Sequence, residues 1–154
     1  RSTLFPYTTL FRSTITQYEL GEQPKVSLMP KEVLDEIGEE GMRAVIGKHY
    51  DGLRTSSIKH LFPTHSDEAF EMAKKHSADF FIQLCGGPQY FNESRGQPMM
   101  RARHSKFQIT QEGRIVWLEC FRDALMECKL SEPLKQGFWA YLDTFSFWMV
   151  NAED

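Results

Sequence analysis

From Pro30 onward the chain alternates apolar and polar residues at helical spacing, with turn residues between the runs. PKEVLDEIGEEG carries acidic residues in its first turn and Gly41 near its end, predicting a short helix that begins at Pro30. EEGMRAVIGKHYDGLR follows, with Met42, Val45, Ile46, His49, Tyr50 and Leu53 on one stripe. A turn around Pro63 leads to DEAFEMAKKHSADFFIQLC, a helix with Ser66 or Asp67 as cap and Phe70, Ala73, Ser77, Phe80, Phe81 and Leu84 on one face. Gly86, Gly87 and Pro88 stop it. After a loop rich in Gly, Pro and Asn, Pro98 opens a short helix containing His104. Thr110 caps an amphipathic helix whose apolar side is Ile115, Leu118, Phe121, Leu125 and Met126, with Trp117 alongside. Ser131 caps a last helix whose aromatics Phe138, Tyr141, Phe145 and Trp148 recur at three and four. No stretch of β-branched alternation supports a strand, so the pattern predicts one all-α domain.

The aromatic content adds a question. Twelve Phe, five Tyr and three Trp make up 13% of 154 residues, more flat surface than a core this small requires. Two readings stand: an unusually aromatic core, or rings lining a pocket for a large apolar guest. The net charge of −3 gives no reason to expect nucleic acid or an anionic membrane as partner, and no window has the length of a spanning helix. Cys85, Cys120 and Cys128 form no metal-type pair. Eight residues along one helix would set Cys120 and Cys128 about 12 Å apart, too far to bridge, so reduced thiols and a cytoplasmic location are expected. The opening RSTLFPYTTLFRS repeats one phrase and resembles a translated sequencing-adapter oligonucleotide. Residues 1–13 are therefore expected to be a cloning or assembly scar, 14–29 an N-terminal extension, 30–151 the folded domain and 152–154 a tail.

Of the five histidines, His60 and His65 flank a turn and are expected at the surface, while His49 and His76 lie within helices among polar neighbours. None forms a two-histidine pair at i, i+4 or an HExxH motif, so zinc and di-iron sites are poorly supported. His104 has distinctive company. A neutral imidazole binds iron through one nitrogen while the other donates to a carbonyl. Arg101 and Arg103 suit carboxylates at the edge of a guest, and Met99, Met100 and Phe107 offer apolar contact. Spacing alone leaves two readings open, iron ligation and an ordinary, partly buried histidine.

The stretch GGPQYFNESRGQPMMRARHSKFQIT, followed by GRIVWLEC, resembles the group II truncated haemoglobins, whose pattern GGP…RG.P..R.RH..F precedes a tryptophan thirteen residues past the histidine. Here that interval runs from His104 to Trp117. KHYDGL resembles the family's second-helix motif ending in a ligand-facing tyrosine, which falls on Tyr50. LFP matches the turn whose ring stacks on the porphyrin, which falls on Phe62. YLDTFSFWMVN is similar to the last helix. The resemblance spans about Pro30 to Asn151 and implies a truncated globin fold, a 2-on-2 helical sandwich around haem b.

It further implies that His104 is the proximal iron ligand, its other N–H donating near Met100, and that Tyr50 and Trp117 face the bound gas with Ala73 and Ser77. These would also be the catalytic residues of any turnover. Phe62, Phe80, Phe81, Phe107, Phe121, Phe145 and Met149 supply a sleeve, and a core role for most of them is compatible with that. His76 falls where a basic residue commonly meets a propionate, and simple exposure is the other reading. Two departures stand out: the residue before Tyr50 is His49 where Phe is usual, and small Ser77 stands where a bulky residue is frequent. The implied function is binding of dioxygen, NO and CO, with NO dioxygenase or peroxidase-like activity dependent on a separate reductase. A haem-based gas sensor acting through a partner is the alternative. An exposed aromatic patch around Phe147 and Trp148 would make a dimer face, so a monomer or weak homodimer is expected.

Overall fold

The structure is a computed structural model that describes residues 10–154. Of the adapter-like opening, residues 1–9 lie outside the described residues. Six α-helices follow in order: α1 Glu32–Arg54, α2 Asp67–Leu84, α3 Tyr90–Arg95, α4 Met100–His104, α5 Gln111–Glu127 and α6 Glu132–Phe147. A single 3-10 turn, Lys59–Leu61, lies between α1 and α2. No strand occurs among the described residues. The pair α1 and α2 stacks against the pair α5 and α6, chiefly through α1 on α5, and this is the expected 2-on-2 sandwich.

Side-chain caps set the starts of α2 and α5. The Ser66 hydroxyl accepts from the Ala69 amide at 3.1 Å and Thr110 Oγ1 from the Gly113 amide at 3.0 Å, caps worth about 1 kcal/mol each. Ser131 stands at the third N-cap without a side-chain cap bond; its amide donates instead to Glu36 Oε1 across the fold. Two boundaries differ from the sequence pattern. The break in α1 is at Gly38, with φ 70° and ψ 178°, not near Gly41. Gly38 adopts a conformation that side chains rarely tolerate, whereas Gly41 is helical and lies so close to Ile37 that a Cβ there would meet its side chain at 2.6 Å. The short α4 begins at Met100, because Met99 sits in the left-handed region at φ 41° and cannot continue a helix back to Pro98.

Met42, Ile46, Leu118, Phe121, Phe138 and Leu142 form the fully buried centre. Met126, expected on the apolar side of α5, is instead 63% exposed, and Ala124 takes the inward position. Buried Asp79 on α2 is held by Arg43 of α1 at 2.9 Å and by Lys75 at 3.0 Å. The three cysteines are free, and burial pushes the Cys85 thiol up to about 11. No helix among the described residues is long and apolar enough to cross a membrane.

The expected dimer patch on α6 is covered by the chain itself. Phe147 is buried beneath Tyr18 at a ring separation of 4.9 Å, and the Trp148 indole donates to the Pro24 carbonyl at 2.8 Å. Further back, the Trp139 indole donates to Thr14 O at 2.7 Å and Phe11 packs edge-on against the same ring. Residues 11–27 thus lie along α6. Their anchor is Arg114 of α5, which is 3% exposed. Its guanidinium donates to Ser146 Oγ at 2.9 Å, to Thr16 O at 3.0 Å, and to both the carbonyl (2.6 Å) and Oδ1 (2.8 Å) of Asp143. The Asp143 carboxylate in turn accepts from the Thr16 amide and hydroxyl. Removing one partner of a buried pair strands the other charge. Asp143→Ala is expected to lower the free energy of denaturant unfolding by about 3 kcal/mol, and a loss under ~0.5 kcal/mol would show that the pair is not a structural anchor.

Candidate functional site

Between the two helix pairs lies a cavity of about 760 Å³, reached by side chains from every helix except α6's first turns. Pockets for organic guests span roughly 300–1,000 Å³, so this one suits a large ligand. Its walls are mainly apolar: Phe62 from the turn after α1, Phe80 and Phe81 from α2, Phe91 from α3, Phe107 after α4, and Phe145 and Met149 at the end of α6. Helical spacing explains the arrangement. Ala73, Ser77 and Phe80 recur at four and three along α2 and line the cavity, while Phe70, Ala78 and Ile82 lie on its buried core side.

His104 lines this cavity from the last position of α4. Its Nδ1 lies 2.7 Å from the Met100 carbonyl, one turn earlier. A carbonyl only accepts, so Nδ1 carries the proton and Nε2 is left as a lone pair. The short helix is braced on both sides. Arg103 Nε donates to Pro98 O at 2.6 Å, and its Nη2 to Arg95 O and Gln97 O, both at 2.8 Å. Asn151 Nδ2 donates to Phe107 O at 2.8 Å while its Oδ1 accepts from the Ile109 amide at 2.9 Å.

A second polar group comes from α1, α2 and α5. Tyr50, Ser77 and Trp117 all line the cavity. Burial pushes the Tyr50 phenol up, against a weaker opposing effect of the neighbouring Ser77 hydroxyl, so the side chain remains an O–H donor. Tyr50 is fixed edge-on against Phe62 at 5.7 Å and Phe70 at 5.6 Å.

The rim is basic. His60, His76, Arg95, Arg103 and Lys106 line the cavity, and no carboxylate does so among the described residues. Burial, then the Arg95 charge, lowers the pKa of His76, whose Nδ1 is buried without a partner. An apolar slot with the His104 imidazole lone pair on its wall and a basic rim fits haem, a flat apolar disc bearing an iron and two carboxylates.

Most residues singled out from the sequence meet here: Tyr50, Phe62, Ala73, His76, Ser77, Phe80, Phe81, Met100, Arg103, His104, Phe107, Trp117, Phe145 and Met149 all line the cavity. Three do not. Met99 is 65% exposed at the left-handed join before α4, Arg101 turns outward over the Trp148 ring at 5.5 Å, and Phe121 lies one layer back, fully buried between Phe81 and Phe138. Arg103 lines the wall but commits Nε and Nη2 to carbonyls, not to a guest's carboxylate. His49, expected among polar neighbours, is 1% exposed and ringed by aromatics. Sequence reasoning missed Arg95 and Lys106 on the rim and Arg114 on the wall. Arg114 was readable, since it lies three residues before Trp117 on the same helix face.

The fold and this cavity define a globin, and comparison with known proteins agrees. The model of the Bacterial-like globin family matches residues 32–151. The group 2 truncated hemoglobin YjbI of Bacillus subtilis (strain 168) is 35% identical over 121 residues, covering 77% of this chain and 89% of its own. A phosphate-bound structure of Hell's gate globin IV superposes with a TM-score of 0.83 at 35% identity, covering 92% of this chain and 88% of the other. The truncated oxygen-avid haemoglobin from Bacillus subtilis gives 0.70 at 29% identity, covering 77% and 98%. The chain belongs to the group II truncated haemoglobins, and with that membership comes haem-based binding of a diatomic gas.

His49 yields a pH prediction. Burial pushes its pKa from 6.5 down to about 3, against a smaller upward effect of its bond to the Trp117 carbonyl. The unfolded chain therefore takes up a proton that the folded chain refuses. This contribution is fully favourable above 6.5 and is lost progressively as pH falls from there toward 3. Relative to His49→Phe, the wild type is expected to lose about 2 kcal/mol of unfolding free energy between neutral pH and about pH 5. Parallel stability profiles for the two proteins would contradict this.

Proposed function

We propose that this chain holds haem b in the cavity through His104 and binds dioxygen reversibly, with NO and CO as further ligands. The observation that carries the reading is the 2.7 Å contact from His104 Nδ1 to the Met100 carbonyl, which leaves Nε2 as a lone pair on a residue of the apolar wall. When bound, the haem iron supplies the open coordination position at which a diatomic gas attaches. The chain's own residues do the rest. Phe62, Phe80, Phe81, Phe107, Phe145 and Met149 exclude water from the slot. His76 and Arg95, with Lys106, would hold the propionates, and a carboxylate beside His76 would draw a proton onto it.

Tyr50 and Trp117 each present an X–H donor to a ligand polarised by binding, and small Ala73 and Ser77 keep that side open and polar. The description of the Bacillus subtilis protein as oxygen-avid supports dioxygen as the ligand. NO dioxygenation or peroxidase-like turnover uses the same pocket, with Tyr50 and Trp117 as its catalytic residues and electrons from a separate reductase. Residues 30–151 carry the cavity, with residues 11–27 laid along α6 as its cover.

The first test is an absorption spectrum of wild type and His104→Gly, ferrous and ferrous with CO. A histidine-ligated spectrum, lost in the variant and restored by added imidazole, is expected. No haem uptake by the wild type, or no change in the variant, overturns the reading. Hydrogen bonds to a charged acceptor are worth about 1.5–3 kcal/mol, so Tyr50→Phe and Trp117→Phe are each expected to speed oxygen dissociation roughly ten- to hundredfold. Stopped-flow release at the wild-type rate in both variants removes the donor assignment.

A further inference from the structure

His49 has no part in the wall, yet it touches both residues that supply donors to it. It precedes Tyr50 in α1, and its ring lies edge-on to Trp117 of α5 at 4.9 Å and 89°. It packs on Phe121 at 4.1 Å and is 1% exposed. Its Nε2 lies 3.1 Å from the Trp117 carbonyl. Since a carbonyl only accepts, Nε2 bears the hydrogen, and Nδ1 is then a lone pair buried with no partner.

We infer that His49 is a positioning residue for the gas-facing donors: through Nε2–H it ties the backbone of Trp117 on α5 to the residue beside Tyr50 on α1. The inference deepens the function proposed above and rests on it. Packing alone does not account for an imidazole here. A phenyl ring fills a similar space among Tyr50, Trp117 and Phe121 and buries no orphan acceptor. What histidine adds is direction. One bond fixes how far α5 slides or rotates past α1 at the level of Trp117, and with it the angle between the two donors. The ring stays neutral through the physiological range because burial holds its pKa near 3, so the tautomer and the bond persist. A backbone carbonyl in a helix already serves the amide one turn on, and its second lone pair is the one His49 takes.

The test compares wild type, His49→Phe, which removes the donor, and His49→Gln, which keeps an N–H at similar reach. His49→Met replaces Phe if the latter does not fold. Three readouts separate positioning from bulk structure. In haem-free protein, long-range nitrogen–proton NMR is expected to place the proton on Nε2 of His49. The Trp117 indole and Tyr50 ring resonances are expected to shift in His49→Phe and return in His49→Gln. In the ferrous–CO protein, the C–O stretching band is expected to shift or split in His49→Phe, with oxygen dissociation roughly tenfold faster, while the melting temperature stays at or above the wild-type value. Gln restores the single band. A proton found on Nδ1, or an unchanged C–O band and dissociation rate in His49→Phe, overturns the inference. Failure of the wild type to take up haem strikes the proposed function, and the haem-free NMR then decides the His49–Trp117 contact by itself.

Discussion

Everything in this molecule answers to one constraint: four principal helices must pack tightly enough to fold while leaving about 760 Å³ open between them. A small chain buries a modest fraction of its surface, and a central cavity removes contacts that a solid core would have. The helices respond by being two-sided. α2 turns Phe70, Ala78 and Ile82 into protein and Ala73, Ser77 and Phe80 toward the cavity; α5 does the same with Leu118 and Leu125 against Trp117. The aromatic surplus follows. Rings are large enough to serve both sides, as Phe81 does by lining the cavity while packing on Phe121 and Phe138.

His104 reaches the cavity from a short helix that cannot stand alone. Five residues cannot hold themselves helical in water. α4 is held from outside, by the Arg103 guanidinium across three carbonyls of the preceding loop and by Asn151 across the following one. Met99 tolerates a left-handed backbone at the join. The bond from His104 to Met100 then fixes the imidazole on a support that is braced at both ends. Arg103 is thus better understood as scaffolding for its neighbour than as a ligand-binding charge.

Helix identity and the inward stripe on α1 were legible because period and caps are local. Met42, Val45, Ile46, His49 and Leu53 are all buried as their spacing requires, and Ser66 and Thr110 make the cap bonds that their positions suggest. What escaped the sequence is what depends on partners far along the chain. Nothing local distinguishes Arg101, which turns outward to Trp148, from Arg103, two residues on and folded back over its loop. Periodicity put Phe121 and Phe80 on equal terms, yet one lies in the core and the other on the wall. His49 looked polar by its neighbours in sequence, and only the approach of α5 shows that it is enclosed.

The aromatic end of α6 is the instructive case, because its composition was read as a surface for a second copy of the chain. The chain instead supplies the cover from residues 11–27, and the covering segment is tied to the cavity rather than merely laid over the helix. Thr16 meets Asp143, Asp143 meets Arg114, and Arg114 both lines the cavity and lies one helical turn before Trp117. Arg114 also sits between the Tyr18 and Phe147 rings, at 5.7 and 5.8 Å. A buried guanidinium is costly to leave without acceptors, and Thr16 O is one of the four it uses. Lifting the segment from α6 therefore disturbs the first turns of α5, the helix that carries Trp117. The N-terminal extension is in this sense part of the wall's support, although none of its residues lines the cavity.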